Sequence, residues 1–340
     1  MKLTTTAELT LPDRVGGLLD AGSCLVTGSG ALHALGWWDG GEWYALVSVA
    51  GQDVRTVVLD DLGEAAFAHD TPAPVLLDDG ALGLLVDTAT LRVYGPDLEL
   101  RHEIAVTGGD VLDRYARHGQ RPRVTATRAS RGTVADEHVV VLDEPIVRSN
   151  PRYLASLRVD ATEASWTGIR TLGPEGFPVD QLGFDELVDS PDTPPIDGVI
   201  VGDAVGCGDS LLVCAEGSNG SSVLKWGSDF FTLTRVTADG TVTAPLYEQS
   251  GWKRQTGKHG IRGRITASGR YVVLTPVFAS GEWKGRQRLL DLGTGELVAP
   301  VLPRGATRMR IVEHHGTTFW LSDGAQRILC AQAADPTGAG

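Results

Sequence analysis

The chain lacks the features that mark exported, membrane-spanning or nucleic-acid-binding proteins. Its four cysteines, Cys24, Cys207, Cys214 and Cys330, have no C-x-x-C spacing, so they suggest neither a disulfide framework nor a thiolate metal site. Each sits in or beside an apolar β-like run, which fits buried free thiols in a reducing cytoplasm. No window approaches the ~20 consecutive apolar residues of a membrane helix. The opening MKLTTTAELTLPDR has no apolar stretch of signal-peptide length. Lysine is scarce: five of the 30 basic residues, four of them between positions 225 and 284. With 43 acidic residues the net charge is −13, the wrong sign for a surface that meets nucleic-acid phosphates or an anionic bilayer. These observations predict a monomeric cytoplasmic protein with neither kind of partner.

Helical periodicity is also scarce, with GGDVLDRYARHG (108–119) the one segment that predicts a short helix. Elsewhere short β-type runs recur, among them TVVLDDL (56–62), HVVVLD (138–143), DSLLVCAE (209–216), RYVVLTPVF (270–278) and TTFWLSD (317–323). Turn residues separate such runs about every 8 to 12 positions, the pattern of an all-β fold.

The runs also repeat. The pattern R-x-R followed by Val or Ile occurs at Arg121, Arg123, Val124; at Arg262, Arg264, Ile265; and at Arg308, Arg310, Ile311. Pro72, Pro74 and Val75 occupy the same slots earlier in the chain. The last two copies stand 46 residues apart, and Pro72 precedes Arg121 by 49, each about the length of one four-stranded blade. GALHALGWWDGGEWYALVSV (30–49) and GRYVVLTPVFASGEWKGRQRLLDL (269–292) match as strand, G-E-W loop and strand. Both fit the middle pair of such a unit.

First strands fall near 23–28, 72–77, 121–127, 199–205, 262–267 and 308–313, which gives six units. Segments 173–197 and 248–261 then become loop insertions; counted otherwise, they make seven units. The sixth unit runs out after three strands near Ala331, and AELTLP (7–12) is free to supply its fourth, hiding two edges. The chain thus resembles the β-propeller superfamily. The turns DLGTGE (291–296) and TADGTV (237–242) are similar to those of its quinoprotein-like and WD-repeat-like members. The resemblance implies a single propeller domain over 1–333 and a tail at 334–340.

In such a ring the second-to-third strand loops and the inter-unit connections open on one face, and here they are long. The third-to-fourth strand turns, such as YGPDLE (94–99), open on the other and are tight. Long loops on a rigid scaffold are the usual seat of function. These carry Trp37, Trp38, Trp43, Trp226, Trp252 and Trp283, with the clustered lysines including Lys258.

Two stretches, RHGQRPRVT (117–125) and KHGIRGRIT (258–266), place His118 and His259 just before an innermost strand, and His69 stands three residues before Pro72 in the same way. Repeated histidines here serve as hydrogen-bonding struts, as ligands of a divalent metal (His69, His118, His259), or as general acids and bases (His118, His259). The six arginines at Arg121, Arg123, Arg262, Arg264, Arg308 and Arg310 alternate to one side of their strands. Such a ring repels itself unless paired with acids, such as Asp203 or Glu313, or with an anionic ligand. A structural lattice and a carboxylate or phosphate site fit equally well.

Other motifs point nowhere sharper. GSGALHALG (28–36) is glycine-rich but leads into a strand, not a helix, which argues against a phosphate loop. His314 and His315 look like a surface pair beside a turn. The acidic 173–197 insertion is a solvated loop or a lid over the channel. The function expected is binding: an anionic small molecule or a protein partner on the loop-rich face, with Trp252 and Lys258 beside the arginines. The alternative is a lyase, cyclase or hydrolase that uses the histidines as acid, base or metal ligands.

Overall fold

The computed structural model describes residues 1–18, 23–62, 72–77, 81–116, 119–124, 130–143, 151–172, 178–179, 200–207, 209–217, 230–237, 243, 245–250, 261–265, 270–276 and 283–334. Among them the strands form five sheets, three of four strands, one of five and one of ten. The ten-stranded sheet joins two antiparallel runs by a short parallel pairing of Val106 and Thr107 with Ala164 and Ser165, and each antiparallel run is one unit. The first comprises Cys24–Val26, Leu32–Trp38, Trp43–Ala50 and Asp53–Leu59, with Val15–Leu18 added against the far end of its second strand. The second comprises Ala73–Leu76, Leu82–Leu85, Thr90–Tyr94 and Leu100–Thr107. In the third, the innermost strand is split into Arg123–Val124 and Thr133–Val134, both paired with Glu137–Asp143; Pro151–Val159 and Ala164–Leu172 follow.

The fourth unit comprises Ile200–Cys207, Ser210–Gly217, Phe230–Thr237 and Tyr247–Ser250, and the fifth Ile261–Ile265, Tyr271–Pro276, Arg288–Asp291 and Leu297–Val298. The sixth takes Arg310–His315, Thr318–Ser322 and Arg327–Ala333 from the end of the chain and Leu3–Thr10 from its beginning. This closure is the one the unpaired N-terminal strand predicts: Leu3 pairs with Ala333 and Thr10 with Arg327. Pro178–Val179, from the predicted insertion, pairs onto the outer strand of the third unit. The predicted helix is the single turn Asp110–Asp113.

The core shows how the units are arranged. Side chains alternate across a strand, so each sheet has two apolar faces, and each face meets a neighbour. Leu25, Leu35 and Leu46 of the first unit pack on Leu82 and Leu84 of the second. Val75 and Val93 of the second pack with Val140 and Tyr153 of the third. Val141 meets Ala204 and Val213 of the fourth, Val205 and Leu212 meet Ile265 and Val272 of the fifth, and Val273 and Leu289 meet Ile311 and Phe319 of the sixth. Finally Val312, Trp320 and Ile328 of the sixth pack against Val26 and Ala34 of the first. The last contact returns to the start, so the units form a closed ring, the architecture of a β-propeller.

Close approach near the axis demands glycine at two positions. A Cβ on Gly132 would fall inside contact distance of the Gly206 carbonyl oxygen, and one on Gly206 would collide with the Thr133 backbone. Gly168, mid-strand in the third unit, has no atom within 4 Å of an added Cβ. Gly206→Ala is therefore expected to cost about 1–3 kcal/mol and to lower the melting temperature, whereas Gly168→Ala leaves it nearly unchanged. Equal melting temperatures for the two variants would show that the inner strands are not so tightly apposed.

Candidate functional site

The axis of the ring is occupied by Arg131, which is 2% exposed. It follows Ser130, which is inserted against the second unit: Ser130 N donates to the Pro74 carbonyl at 2.8 Å and Leu76 N to the Ser130 carbonyl at 2.9 Å. From there the guanidinium reaches three more units. Its Nη1 donates to Asp203 Oδ1 at 2.9 Å in the fourth, its Nε to Glu313 Oε2 at 2.9 Å in the sixth, and its Nη2 to the Cys24 carbonyl at 3.2 Å in the first. Asp203 carries the network into the fifth, since its Oδ2 accepts from Ile265 N at 2.8 Å.

Both carboxylates are aimed inward by the same device. The pairing register of the fourth unit's innermost strand shifts between Val201 and Asp203, and that of the sixth between Ile311 and Glu313. A bulge of this kind re-aims the side chain beside it. Asp203 and Glu313 are each 1% exposed. Burial pushes the Glu313 carboxyl up to about 8, against the pull of Arg131 and of the His314 N–H on its other oxygen. Arg131 is held above its ordinary value by the two acids, despite the opposing effect of burial.

The arginines singled out from sequence lie elsewhere. Arg121 is bound to Asp113 by Nε and, at 2.8 Å, by Nη2. Arg123 donates to the Gln120 side chain. Arg308 and Arg310 are exposed, at the N-terminal end of the sixth unit's innermost strand. Arg262 and Arg264 stand in the strand Ile261–Ile265 of the fifth unit, their side chains outside the described residues. His69, His118, Trp252, Lys258 and His259 also lie outside them. No group of three His, Cys, Asp or Glu among the described residues is placed to hold a metal ion.

His314 is not the surface residue expected: it is 1% exposed, packs on Tyr271 and Phe319, and has its Nε2 3.3 Å from the Tyr271 carbonyl. Alternation explains this, since the bulge turns Glu313 to the axis and its neighbour into the slot between the fifth and sixth units. Gln287 staples that slot, donating from Nε2 to the Ile311 carbonyl at 3.0 Å and accepting from Ile311 N at 2.7 Å.

At one end of the axis, where the innermost strands finish, a cavity of about 580 Å³ opens over Arg131 between the first and second units. Its lining includes the Thr27–Ala31 turn, His33, Ser48, Leu76, Pro96 and Thr133. His33 is 2% exposed, and its Nδ1 has no hydrogen-bond partner among the described residues, a deficit of about 1–3 kcal/mol for a buried polar atom. A second cavity of about 380 Å³ shares Ser48, Ala50 and Pro96 with the first and ends at Asp53, Arg55, Asp97 and Arg101. The turn Gly95–Glu99 lies at this end, so the described cavities open on the face with the tight turns.

No family model and no curated protein matches the chain. Solved structures similar to it include BamB from Moraxella catarrhalis, with 10% identity over 97% of this chain and 100% of that one and a TM-score of 0.43. BBS1N in complex with ARL6DN, soaked with lead, is similar at 11% identity over 98% of this chain and 97% of that one, with a TM-score of 0.46. A protein from Lactobacillus plantarum matches at 13% identity over 82% and 72% of the two chains, with a TM-score of 0.40. The class of protein is defined by the strand pairing and the closed core: a β-propeller-like fold.

Two predictions follow from the axis and its cavity. Arg131→Met strands Asp203 without its cation and is expected to cost about 3–5 kcal/mol; the triple variant R131M/D203N/E313Q recovers part of that loss in thermal unfolding. A single variant as stable as the wild type would deny the network its role. Burial holds His33 neutral, with its value lowered from 6.5 to about 4. The unfolded chain binds that proton more readily, so this contribution is complete above pH 6.5 and is lost as pH falls toward 4. His33→Gln is accordingly expected to show a smaller drop in melting temperature between pH 7 and pH 5 than the wild type does.

Proposed function

We propose that the protein is a propeller scaffold that binds an anionic group, borne by a small carboxylate or phosphate or by an acidic protein segment, at the loop-rich mouth of its axis. The observation that carries this reading is the state of Arg308 and Arg310. Both are exposed at the end of an innermost strand, and among the described residues neither has an acidic partner. In a chain of net charge −13, cations that are not used in structural pairs are a conspicuous local surplus. Arg262 stands at the corresponding end of the fifth unit's innermost strand, which supports a shared site, and Lys258 and Trp252 belong to the connection that leads into it.

Binding is favoured over catalysis because the acids and the arginine at the axis are committed to one another. A guanidinium recognises carboxylate and phosphate through paired donors in a fixed plane, and exposed arginines also anchor protein interfaces. The test uses citrate and inorganic phosphate as probes in isothermal titration. Citrate is expected to bind, more weakly as salt is raised, and R308A/R310A to weaken it by about tenfold or more, with little change in melting temperature. Citrate and phosphate that fail to bind, or an affinity unmoved by the double substitution, would overturn the proposal.

A further inference from the structure

In the slot between the first and second units the apolar lining stops short of one end. In the first unit, Leu35, Leu46 and Val57 form one cross-strand row, and His33, Ser48 and Arg55 form the next row on the same face. The period of two along a strand fixes both rows toward the second unit. Leu35 and Leu46 belong to the apolar cluster between the units. Two residues along, the same face becomes imidazole, hydroxyl and guanidinium, and there the 580 Å³ cavity opens. Its volume lies within the range of roughly 300–1,000 Å³ of small-molecule sites.

The turn beside it is preformed. Gly30 adopts φ +85°, a left-handed conformation that suits glycine. The Thr27 N–H donates to the Ala31 carbonyl at 3.0 Å, and the Thr27 and Ser29 hydroxyls stand 2.8 Å apart. A Cβ at Gly28 or Gly30 would meet nothing within 4 Å, so the turn borders open space. Leu76, Leu77 and Pro96 supply an aliphatic wall opposite.

The lining offers hydrogen bonds but no free charge. Arg131 is answered by two carboxylates, and burial keeps His33 neutral. An anion or a cation entering this slot would lose its hydration with no opposite charge to replace it. A purely apolar ligand would make no use of the hydroxyls of Thr27, Ser29 and Ser48 that line the slot. What fits is a molecule with hydroxyls on its edges and C–H groups on its face.

We infer that the slot is a binding site for an uncharged polyhydroxylated ligand of mono- or disaccharide size, held by Thr27, Ser29, His33 and Ser48 with its C–H face on Leu76 and Pro96. This site is on the opposite end of the axis from the anion site and does not depend on it. A longer ligand would run on past Ala50 into the second cavity, whose rim carries both signs of charge.

The experiment compares glucose, galactose, mannose, maltose and trehalose with glucuronate and glucose 6-phosphate, by thermal shift and isothermal titration on the full chain. At least one neutral sugar is expected to raise the melting temperature with a millimolar Kd, and the two charged sugars to do so at least tenfold more weakly. Ala50→Phe obstructs the passage from an exposed position and is expected to abolish the response. Ser48→Ala, which removes one hydroxyl, weakens it about tenfold. No response to any of the five at 50 mM, equal response to the charged sugars, or a full response in A50F would overturn the inference and leave a slot filled by water. Citrate binding at Arg308 and Arg310 is unaffected by A50F, so failure of one site is separable from failure of the other.

Discussion

A guanidinium shut away from water must have its charge and its donors answered on every side, and Arg131 meets that demand with one partner from nearly every part of the ring. Its own residue belongs to the third unit, the preceding Ser130 is paired into the second, and its donors reach the first, fourth and sixth. Asp203 extends the same network to a backbone N–H of the fifth. Taking a guanidinium and its acidic partners out of water is expensive, and a buried ion pair is weak evidence of net stabilisation. Its effect is better described as a constraint on geometry: six innermost strands satisfy one set of donors and acceptors only at one height and one rotation about the axis. Burial raises the proton affinity of Glu313, against the pull of Arg131.

The apolar slots supply the driving force, and the axis decides how they are stacked. Each slot is closed by Leu, Val and Ile from two sheets, so the ring is a series of similar interfaces that alone would tolerate small slips between units. The bulges at Asp203 and Glu313, the Gln287 clip on Ile311, and the contact of Gly132 with Gly206 remove that freedom. Closure by Leu3–Thr10 does the same at the circumference, because the last unit is complete only when both ends of the chain are in one sheet.

Much of this arrangement is legible in the sequence. The repeated R-x-R pattern and the short apolar runs locate innermost strands near Ala73–Leu76, Ile261–Ile265 and Arg310–His315, and an unpaired strand at the start with a missing strand at the end predicts the closure. Asp203 and Glu313 can be named as partners of arginine from their place in the innermost strands. The arginine itself cannot, because the repeated R-x-R pattern draws attention to Arg121 and Arg308, which stay at the surface, while Arg131 stands in SRGTV outside any repeat. Its burial arises from the split of the third unit's innermost strand, a tertiary feature that leaves no periodic trace. The slot beside GSGALHALG escapes notice for a related reason: the glycine-rich turn is visible, but the polar row behind it depends on which strands pair and in what register.

A plugged axis has a consequence for what the two ends of the ring can do. Arg131, Asp203 and Glu313 are buried at the centre, between the Arg308 and Arg310 end of the innermost strands and the cavity at the other. The ends are free to differ in chemistry, and they do. At one end Arg308 and Arg310 stand exposed with no acidic partner among the described residues; at the other Arg131 is answered by two acids, the first cavity is lined by hydroxyl, imidazole and aliphatic groups, and the charges of both signs stand farther out, on the rim of the second. The same buried network that fixes the six strands therefore also separates a charged mouth from an uncharged slot, so each can be altered by substitution without rebuilding the other.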